Sequence, residues 1–334
     1  MKKTLVALAV LGSFASVASA ATSVTLYGRV DVGYESRHHD GLKLVQGTTS
    51  ENSDGSWLSG SDNMSRFGIK GEEDLGNGLA ATFKLEGRFS GDTGKYTKDM
   101  FDRESTVGLK GAFGHVRFGR ALAAMDNGIG DFSVGERVAS FDTYASAARH
   151  SNSAFYDYSN SGFSVGGNVS TKGGDIGNTT EGVDGNKVGY GLYAKYAADA
   201  FALGAAYQRD SYNSTYAAAT KEWGVGASYT FKPVTVGASY AQLKADGSDS
   251  KHKIINAFIS GDVTANDTVY FQYNRAKDTG VKAANAYGLG YMHALSKRTS
   301  VYGEVARTKR EDANSTSGEM VNGWDYSVAL RHKF

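Results

Sequence analysis

Hydrophobic and polar residues alternate singly along most of this chain. From Val24 to Tyr34, the residues Val24, Leu26, Val30, Val32 and Tyr34 share one parity, and Thr25, Tyr27, Arg29 and Asp31 share the other. A strand sends successive side chains to opposite faces, so this segment has one oily face and one charged face. The pattern repeats with Leu79, Ala81, Phe83, Leu85 and Phe89 against Thr82, Lys84, Glu86 and Arg88. It returns with Trp223, Val225, Ala227, Tyr229 and Phe231 against Glu222, Ser228 and Thr230. The last segment sets Trp324, Tyr326, Val328, Leu330 and Phe334 against Asp325, Ser327, Arg331 and Lys333. The periodicity predicts sixteen strands, near 23–36, 64–73, 79–90, 101–111, 115–122, 151–159, 163–171, 187–197, 200–209, 221–232, 234–243, 252–262, 268–277, 284–295, 299–308 and 323–334. Ile254, Ile255, Phe258 and Ile259 break the alternation in the segment near 252.

The connections alternate in length. Short turns fall at 74–78, 112–114, 159–162, 198–199, 232–233, 264–267 and 296–298, several of them rich in the Gly and Asn that tight hairpins need. Long polar loops cover 37–63, 91–100, 121–150, 172–186, 210–220, 244–251, 278–283 and 309–322. Short turns at one end and long loops at the other belong to an up-and-down barrel set across a membrane. Segments of about ten residues have the length that a tilted strand needs to cross hydrocarbon. A soluble sandwich would turn the oily parity inward, and sixteen strands would then require a wide apolar filling. A closed cylinder of this many strands is instead too wide for side chains to plug, so its polar interior holds water. The expected fold is all-β: a sixteen-stranded antiparallel transmembrane β-barrel.

Composition narrows the chemistry. The 334 residues include 43 glycines, 20 tyrosines, one proline and no cysteine. Without cysteine there is no disulfide framework, zinc-thiolate site or thiol nucleophile. A formal net charge of +1 gives no polybasic footprint for nucleic acid. Lys2 and Lys3, the apolar run from Leu5 to Val17 and the small residues Ala18-Ser19-Ala20 read in order as a secretory leader. Residues 1–20 are thus expected to be a signal peptide cleaved between Ala20 and Ala21, leaving 21–334 as the barrel.

Four segments resemble a known family. They are Val24-Thr25-Leu26-Tyr27-Gly28, the stretch Ser65-Arg66-Phe67-Gly68-Ile69-Lys70-Gly71-Glu72-Glu73-Asp74-Leu75-Gly76-Asn77-Gly78, Phe101-Asp102-Arg103-Glu104-Ser105-Thr106-Val107-Gly108-Leu109, and Phe113-Gly114-His115-Val116-Arg117-Phe118-Gly119-Arg120. In this order, and with the terminal aromatic Phe334, they are similar to the general porins of Gram-negative bacteria of the betaproteobacterial and neisserial type. The resemblance implies a homotrimer of water-filled barrels in the outer membrane, in contact with its lipid and lipopolysaccharide and passing small ions and hydrophilic solutes. It also implies an inward-folded third loop, here about 121–150, and a role for Phe334 as a signal to the barrel-assembly machinery. No cofactor is implied.

An acidic loop facing a basic wall creates a transverse field that low-dielectric walls focus, and rings of charge bias which ions pass. The loop supplies Asp126, Asp131, Glu136 and Asp142. Parity turns Arg29, Arg66, Lys70, Lys84, Arg88 and Arg117 toward the lumen, among Asp31, Glu72 and Glu86. The resemblance puts Arg66, Arg103 and Arg149 on the basic side of the constriction, with Arg137 as the alternative to Arg149. Arg103 shares parity with the outward Val107 and Leu109, which leaves a bulge or a subunit interface, with Glu104 and Thr106 facing a neighbour, as accounts of it; the family favours the interface. Wall bases outnumber wall acids, which leans toward a weak preference for anions.

Other chemistries fit less well. Gly162-Phe163-Ser164-Val165-Gly166 matches G-x-S-x-G, but that motif needs a strand-to-helix elbow and here falls inside a strand. His38-His39 falls in a predicted loop, and no H-E-x-x-H occurs. Loop carboxylates at Asp246, Asp249 and Asp262 lack a calcium-loop pattern and offer at most weak divalent bridging to lipopolysaccharide. A substrate-selective channel would line its route with aromatics. Tyr27, Tyr193, Tyr270 and Tyr302 point inward by parity, but they come from separated strands and are expected at the rims.

Overall fold

The computed structural model describes residues 22–39, 55–60, 65–96, 99–171, 188–213, 218–311 and 320–334. The expected leader and its Ala20–Ala21 cleavage bond lie outside them. The strands are β1 (Ser23–His39), β2 (Gly55–Ser59), β3 (Arg66–Gly76), β4 (Leu79–Arg88), β5 (Glu104–Gly111), β6 (Gly114–Leu122), β7 (Arg149–Asn160), β8 (Phe163–Ser170), β9 (Tyr190–Ala197), β10 (Phe201–Asn213), β11 (Ala218–Phe231), β12 (Val234–Ala245), β13 (Lys251–Asp262), β14 (Asp267–Asp278), β15 (Ala284–Ala294), β16 (Thr299–Glu311) and β17 (Met320–Lys333). One short helix, α1 (Ala124–Ile129), lies in the third loop.

Every neighbouring pair is antiparallel, and β17 returns to pair with β1 from Arg29↔Lys333 to His39↔Gly323. The sheet therefore closes on itself, as backbone in hydrocarbon demands. Seventeen segments make sixteen staves. The lower half of β1 pairs with β3 and its upper half, Gly33 to Arg37, with β2, so β2 and β3 occupy one place in the wall. β2 falls inside the predicted loop 37–63, where no long alternating run marks it.

All sixteen predicted strands are present, several of them longer on the loop side than hydrophobicity suggests. β1 runs on through His38 and His39, so this pair is in a strand and not a loop. β10, β11 and β16 extend to Asn213, from Ala218 and to Glu311. Oily alternation stops where the lipid stops, but hydrogen-bonded pairing continues into water.

The two faces are inverted relative to a soluble sheet. Leu192, Val107, Val328 and Leu26 are each more than 60% exposed on the outer wall, while Glu304, Glu222, Asp31 and Gln272 are buried inside. The irregular segment near 252 is β13, and its departure from alternation has a local cause. Ile255 and Ile259 face outward, whereas Ile254 and Phe258 face the bore and join an apolar cluster with Met125, Ile129 and Phe132 of the third loop.

Leu289 lies mid-strand on the outer face, between its cross-strand partners Phe271 and Val305. Leu289→Arg should destabilise the folded barrel by about 2–4 kcal/mol if it lies near the bilayer midplane. Urea titration of folding into lipid vesicles measures this, and an unchanged midpoint would mean that the outer face is not in lipid.

Candidate functional site

The third loop does not project from the barrel. It leaves β6, sweeps along the inner wall and returns to β7, and its base is closed by a hydrogen bond from Ala123 N–H to the Ala148 carbonyl at 2.9 Å. Small residues in the wall make room for it. A Cβ at Gly226 would sit 2.2 Å from the Phe132 ring, and one at Gly224 would sit 2.5 Å from Ile129. Met125, Ile129 and Phe132 fill this space against Ala206, Ala241, Ile254 and Phe258.

Inward polar side chains in mid-strand then hold the loop backbone. On the outward run, Met125 N–H donates to Gln208 Oε1 at 3.0 Å, Asn256 Nδ2 donates to the Phe132 carbonyl at 2.7 Å and Val134 N–H donates to Gln272 Oε1 at 2.7 Å. The Glu304 carboxylate accepts three backbone N–H groups, from Glu136 at 2.6 Å, Arg137 at 2.8 Å and Ala139 at 3.2 Å. On the return, Glu222 accepts from Ala145 at 2.9 Å and Ser146 at 2.6 Å, and Asp210 accepts from Ala147 at 2.9 Å. His150 bridges Asp210, at 2.9 Å, and Asn168, at 2.7 Å. None of these anchors is among the expected site residues. Their signal was an amide or carboxylate at an inward mid-strand position, as in Gln208, Asn256, Gln272 and Glu304.

Arg137 is the far anchor of the loop, not the alternative pore cation to Arg149. Its side chain is fully buried and binds Asp31 at 2.8 Å and Glu35 at 2.5 Å. Burial alone would lower its pKa, but the Tyr302, Asp31 and Glu35 oxygens around it raise it instead. Tyr302 donates to Asp31 at 2.8 Å and Tyr270 donates to Glu304 at 2.6 Å. These two tyrosines therefore brace the loop in the bore and do not sit at the rims. Tyr27 and Tyr193 point inward as expected, to Glu86 at 2.8 Å and Asp157 at 2.7 Å.

The loop clings to the wall from β9 round to β1, which leaves the wall of β1 and β3–β7 facing open water. Arginines gather there. Arg29, Arg66 and Arg88 are successive cross-strand partners on the lumen face. Like charges placed directly opposite one another destabilise a sheet, so this row is not explained by stability. Arg88 is held by Asp102 at 2.5 Å, and Arg117 by Glu104 at 3.1 Å and Asp157 at 2.6 Å. Arg103 lies in the bend before β5, and its guanidinium pairs with Glu86. Strand parity does not apply in the bend, so neither a bulge nor a subunit interface is needed. Glu104 and Thr106 are buried on the lumen side and do not face a neighbour. Arg149, at the start of β7, donates to the Arg103 carbonyl at 2.8 Å. Among the described residues, Arg66 and Arg149 have no carboxylate within ion-pair distance.

The four loop acids occupy different places. Asp126 accepts from the Tyr144 hydroxyl at 2.5 Å. Burial pushes its carboxyl above the usual carboxylate range, against the opposing effects of Tyr144 and Arg149. Glu136 pairs with Arg331 at 2.8 Å. Asp131 is exposed and paired with Lys195 on β9. Asp142 is exposed, and its carbonyl accepts from Asn274 Nδ2 at 2.7 Å. Below α1, a cavity of about 640 Å³ is lined by Lys70, Lys84, Glu104, His115, Arg117 and Asn127. The Gly162–Gly166 motif runs through a hairpin turn into β8, where Ser164 Oγ bonds Ser159 Oγ at 2.8 Å. Phe334 closes the last stave, its N–H and carbonyl both bonded to Gly28 at 3.1 Å.

A closed barrel with an oily outside and a charged bore partly filled by its own loop is an outer-membrane channel architecture. The model of the Gram-negative porin family matches residues 7–313, and the chain belongs to that family. It is 33% identical over 340 residues to outer membrane porin protein 32 of Delftia acidovorans, covering 97% of this chain and 93% of that protein. It is 27% identical over 407 residues to an outer membrane porin protein of Bordetella pertussis, covering the whole of both. Among solved structures it is similar to an anion-selective porin from Comamonas acidovorans, with a TM-score of 0.74 and 29% identity over 94% of this chain and 100% of that one. The protein is an outer-membrane porin of a Gram-negative bacterium.

Glu304→Ala removes the acceptor of three loop N–H groups, each bond to a charged group being worth about 1.5–3 kcal/mol. Single-channel steps in a bilayer should become larger and noisier. Steps identical to wild type would show that the loop is held without Glu304.

Proposed function

We propose that this porin is a general diffusion channel with a preference for anions, in which Arg66, Arg103 and Arg149 form the basic side of a constriction made by the third loop. Small hydrophilic solutes cross passively, and Arg29, Arg88 and Arg117 belong to the same basic wall. On the opposite side, the third loop supplies Asp126, Asp131, Glu136 and Asp142 as the acidic face of the constriction. The observation that carries the proposal is the unequal use of charge. Glu304, Glu222 and Asp210 accept backbone amides, and Asp31 and Glu35 hold Arg137. Arg66 and Arg149, by contrast, have no carboxylate partner among the described residues. A local excess of positive charge focused by low-dielectric walls concentrates anions, although salt limits its reach to about 8 Å at physiological ionic strength.

The proposal includes a homotrimeric assembly, a cleaved leader at residues 1–20 and recognition of Phe334 by the barrel-assembly machinery. The anion selectivity of the Comamonas acidovorans porin supports the sign of the preference. The family and the hairpin setting of Ser164 support a channel rather than a hydrolase.

The combined variant Arg66→Ser, Arg149→Ser should lower the anion-to-cation permeability ratio by about sevenfold for each kT of local potential removed, since the anion loses and the cation gains a factor of about 2.7 each. Reversal potentials in a salt gradient measure the ratio, and an unchanged value would remove these residues from the constriction. Acidification should act in the opposite direction. As pH falls through the raised Asp126 pKa, the loop loses a negative charge and anion preference increases. This step should begin above the ordinary aspartate range near ~3.9 and be absent in Asp126→Asn; a step of equal size in the variant would assign it elsewhere.

A further inference from the structure

The arginines on the open wall share out their acids unevenly. Arg88 is held by Asp102 at 2.5 Å, Arg103 by Glu86, and Arg117 by Glu104 and Asp157. Arg149 stands beside Arg88 and Arg103. Its Nε donates to the Arg103 carbonyl at 2.8 Å, and its two terminal nitrogens have no protein acceptor among the described residues. A carboxylate lies close by. Of the charges around Asp126, Arg149 acts on its carboxyl most strongly. The two nevertheless form no ion pair, and the guanidinium is left to passing solutes.

A tyrosine keeps them apart. The Tyr144 hydroxyl donates to Asp126 Oδ1 at 2.5 Å, and Oδ2 has no partner among the described residues. An O–H donor on a carboxylate makes a short, charge-assisted bond. The Tyr144 ring packs against the cluster of Met125, Ile129 and Phe132, and the low dielectric beside that dry patch strengthens the bond. It joins the two runs of the third loop, since Asp126 lies in α1 on the outward run and Tyr144 on the return. Each run is fastened without it. On the outward side, Gln208 holds Met125 N–H, and the Asp126 carbonyl accepts from Gly130 N–H at 3.0 Å. On the return, the two residues after Tyr144, Ala145 and Ser146, donate to Glu222. Removing the hydroxyl therefore leaves the loop in place and changes where the carboxylate points.

We propose that Tyr144 is a specificity-determining residue of the pore: its hydroxyl holds the Asp126 carboxylate against the loop, keeps it off Arg149 and leaves that guanidinium open to anions. The proposal rests on the reading of Arg149 as part of the constriction. Tyr144 acts through Asp126 and is a positioning residue. In Tyr144→Phe the ring keeps its packing and Asp126 loses its donor. The carboxylate then turns to Arg149, and a contact pair replaces a separated anion and cation. Total charge is unchanged, but a guanidinium closed by a carboxylate no longer presents its planar fork of donors to a solute. Two of the other loop acids are engaged elsewhere, Asp131 with Lys195 and Glu136 with Arg331.

The test is a mutant cycle on the whole folded protein in a planar bilayer, read at neutral pH by reversal potential in a salt gradient. Tyr144→Phe should lower the anion-to-cation permeability ratio by about twofold, the change that about a third of a kT gives when the two ions respond oppositely. In an Asp126→Asn background no carboxylate can turn to Arg149, and the same substitution should leave the ratio unchanged. In an Arg149→Ser background it should again have no effect. Single-channel steps of Tyr144→Phe should stay as quiet as those of wild type; noisier steps would mean that the hydroxyl fastens the loop, and would overturn a role confined to the carboxylate. An unchanged or raised ratio in Tyr144→Phe would overturn the proposal, as would an equal fall with and without Asp126. Arg149→Ser alone separates this failure from that of the constriction. If it lowers the ratio while Tyr144→Phe does not, the role of Tyr144 is lost and the constriction stands. If it leaves the ratio unchanged, the reading of Arg149 and this proposal fall together.

Discussion

Backbone amides in hydrocarbon have no water to bond, and this single constraint organises the molecule. The strands must pair on both sides, so the sheet must close, and β17 must find β1. Closure at sixteen staves makes a bore too wide for side chains to fill. The outer face is then selected for oil and the inner face for water, the reverse of a soluble core. The third loop follows from the same width, since the bore has room to hold it.

Holding a loop inside a wet cylinder is a separate physical problem, and the chain solves it with two kinds of contact. A small dry patch forms where Met125, Ile129 and Phe132 meet the glycine- and alanine-rich wall. Beyond that patch, carboxylates and amides on the wall accept or donate to the loop backbone, and Glu304 alone takes three N–H groups. This has an electrostatic consequence. Wall carboxylates committed to loop amides, and those paired with the buried Arg137, are offset in place. On the opposite wall, Arg66 and Arg149 have no carboxylate partner among the described residues, while Arg88, Arg103 and Arg117 are paired. The charge imbalance of the bore thus comes from how the loop is fastened as much as from the number of acids and bases.

The outer surface shows the same division by environment. Its middle is uniformly apolar, while the long-loop edge of β10–β16 carries an ordered succession of aromatic and basic side chains. Among the described residues, the edge of β1–β9 keeps the aromatics with fewer basic side chains, His38 and Arg120. A barrel symmetrical in its backbone is therefore asymmetric around its circumference in what it presents to its surroundings.

The strands were legible because lipid imposes a period of two on every stave, and that period survives in the residues themselves. It failed only where the environment changed. Ile254 and Phe258 are oily on the inner face because they meet the loop and not water. β2 was hidden because its five residues carry no alternating run, and Arg103 was misread because it sits in a bend where parity has no meaning. What residue order alone could not decide was which charges meet. Arg137 and Arg149 are both arginines of the third-loop region, yet one is buried against Asp31 and Glu35 and the other faces the open wall. Glu304 carries no motif, and the sequence reading puts Tyr270 and Tyr302 at the rims, yet all three support the loop. Alternation is a local property and can be read along the chain. The pairing of a loop with a wall more than a hundred residues away depends on closure of the sheet, and only the folded barrel supplies it.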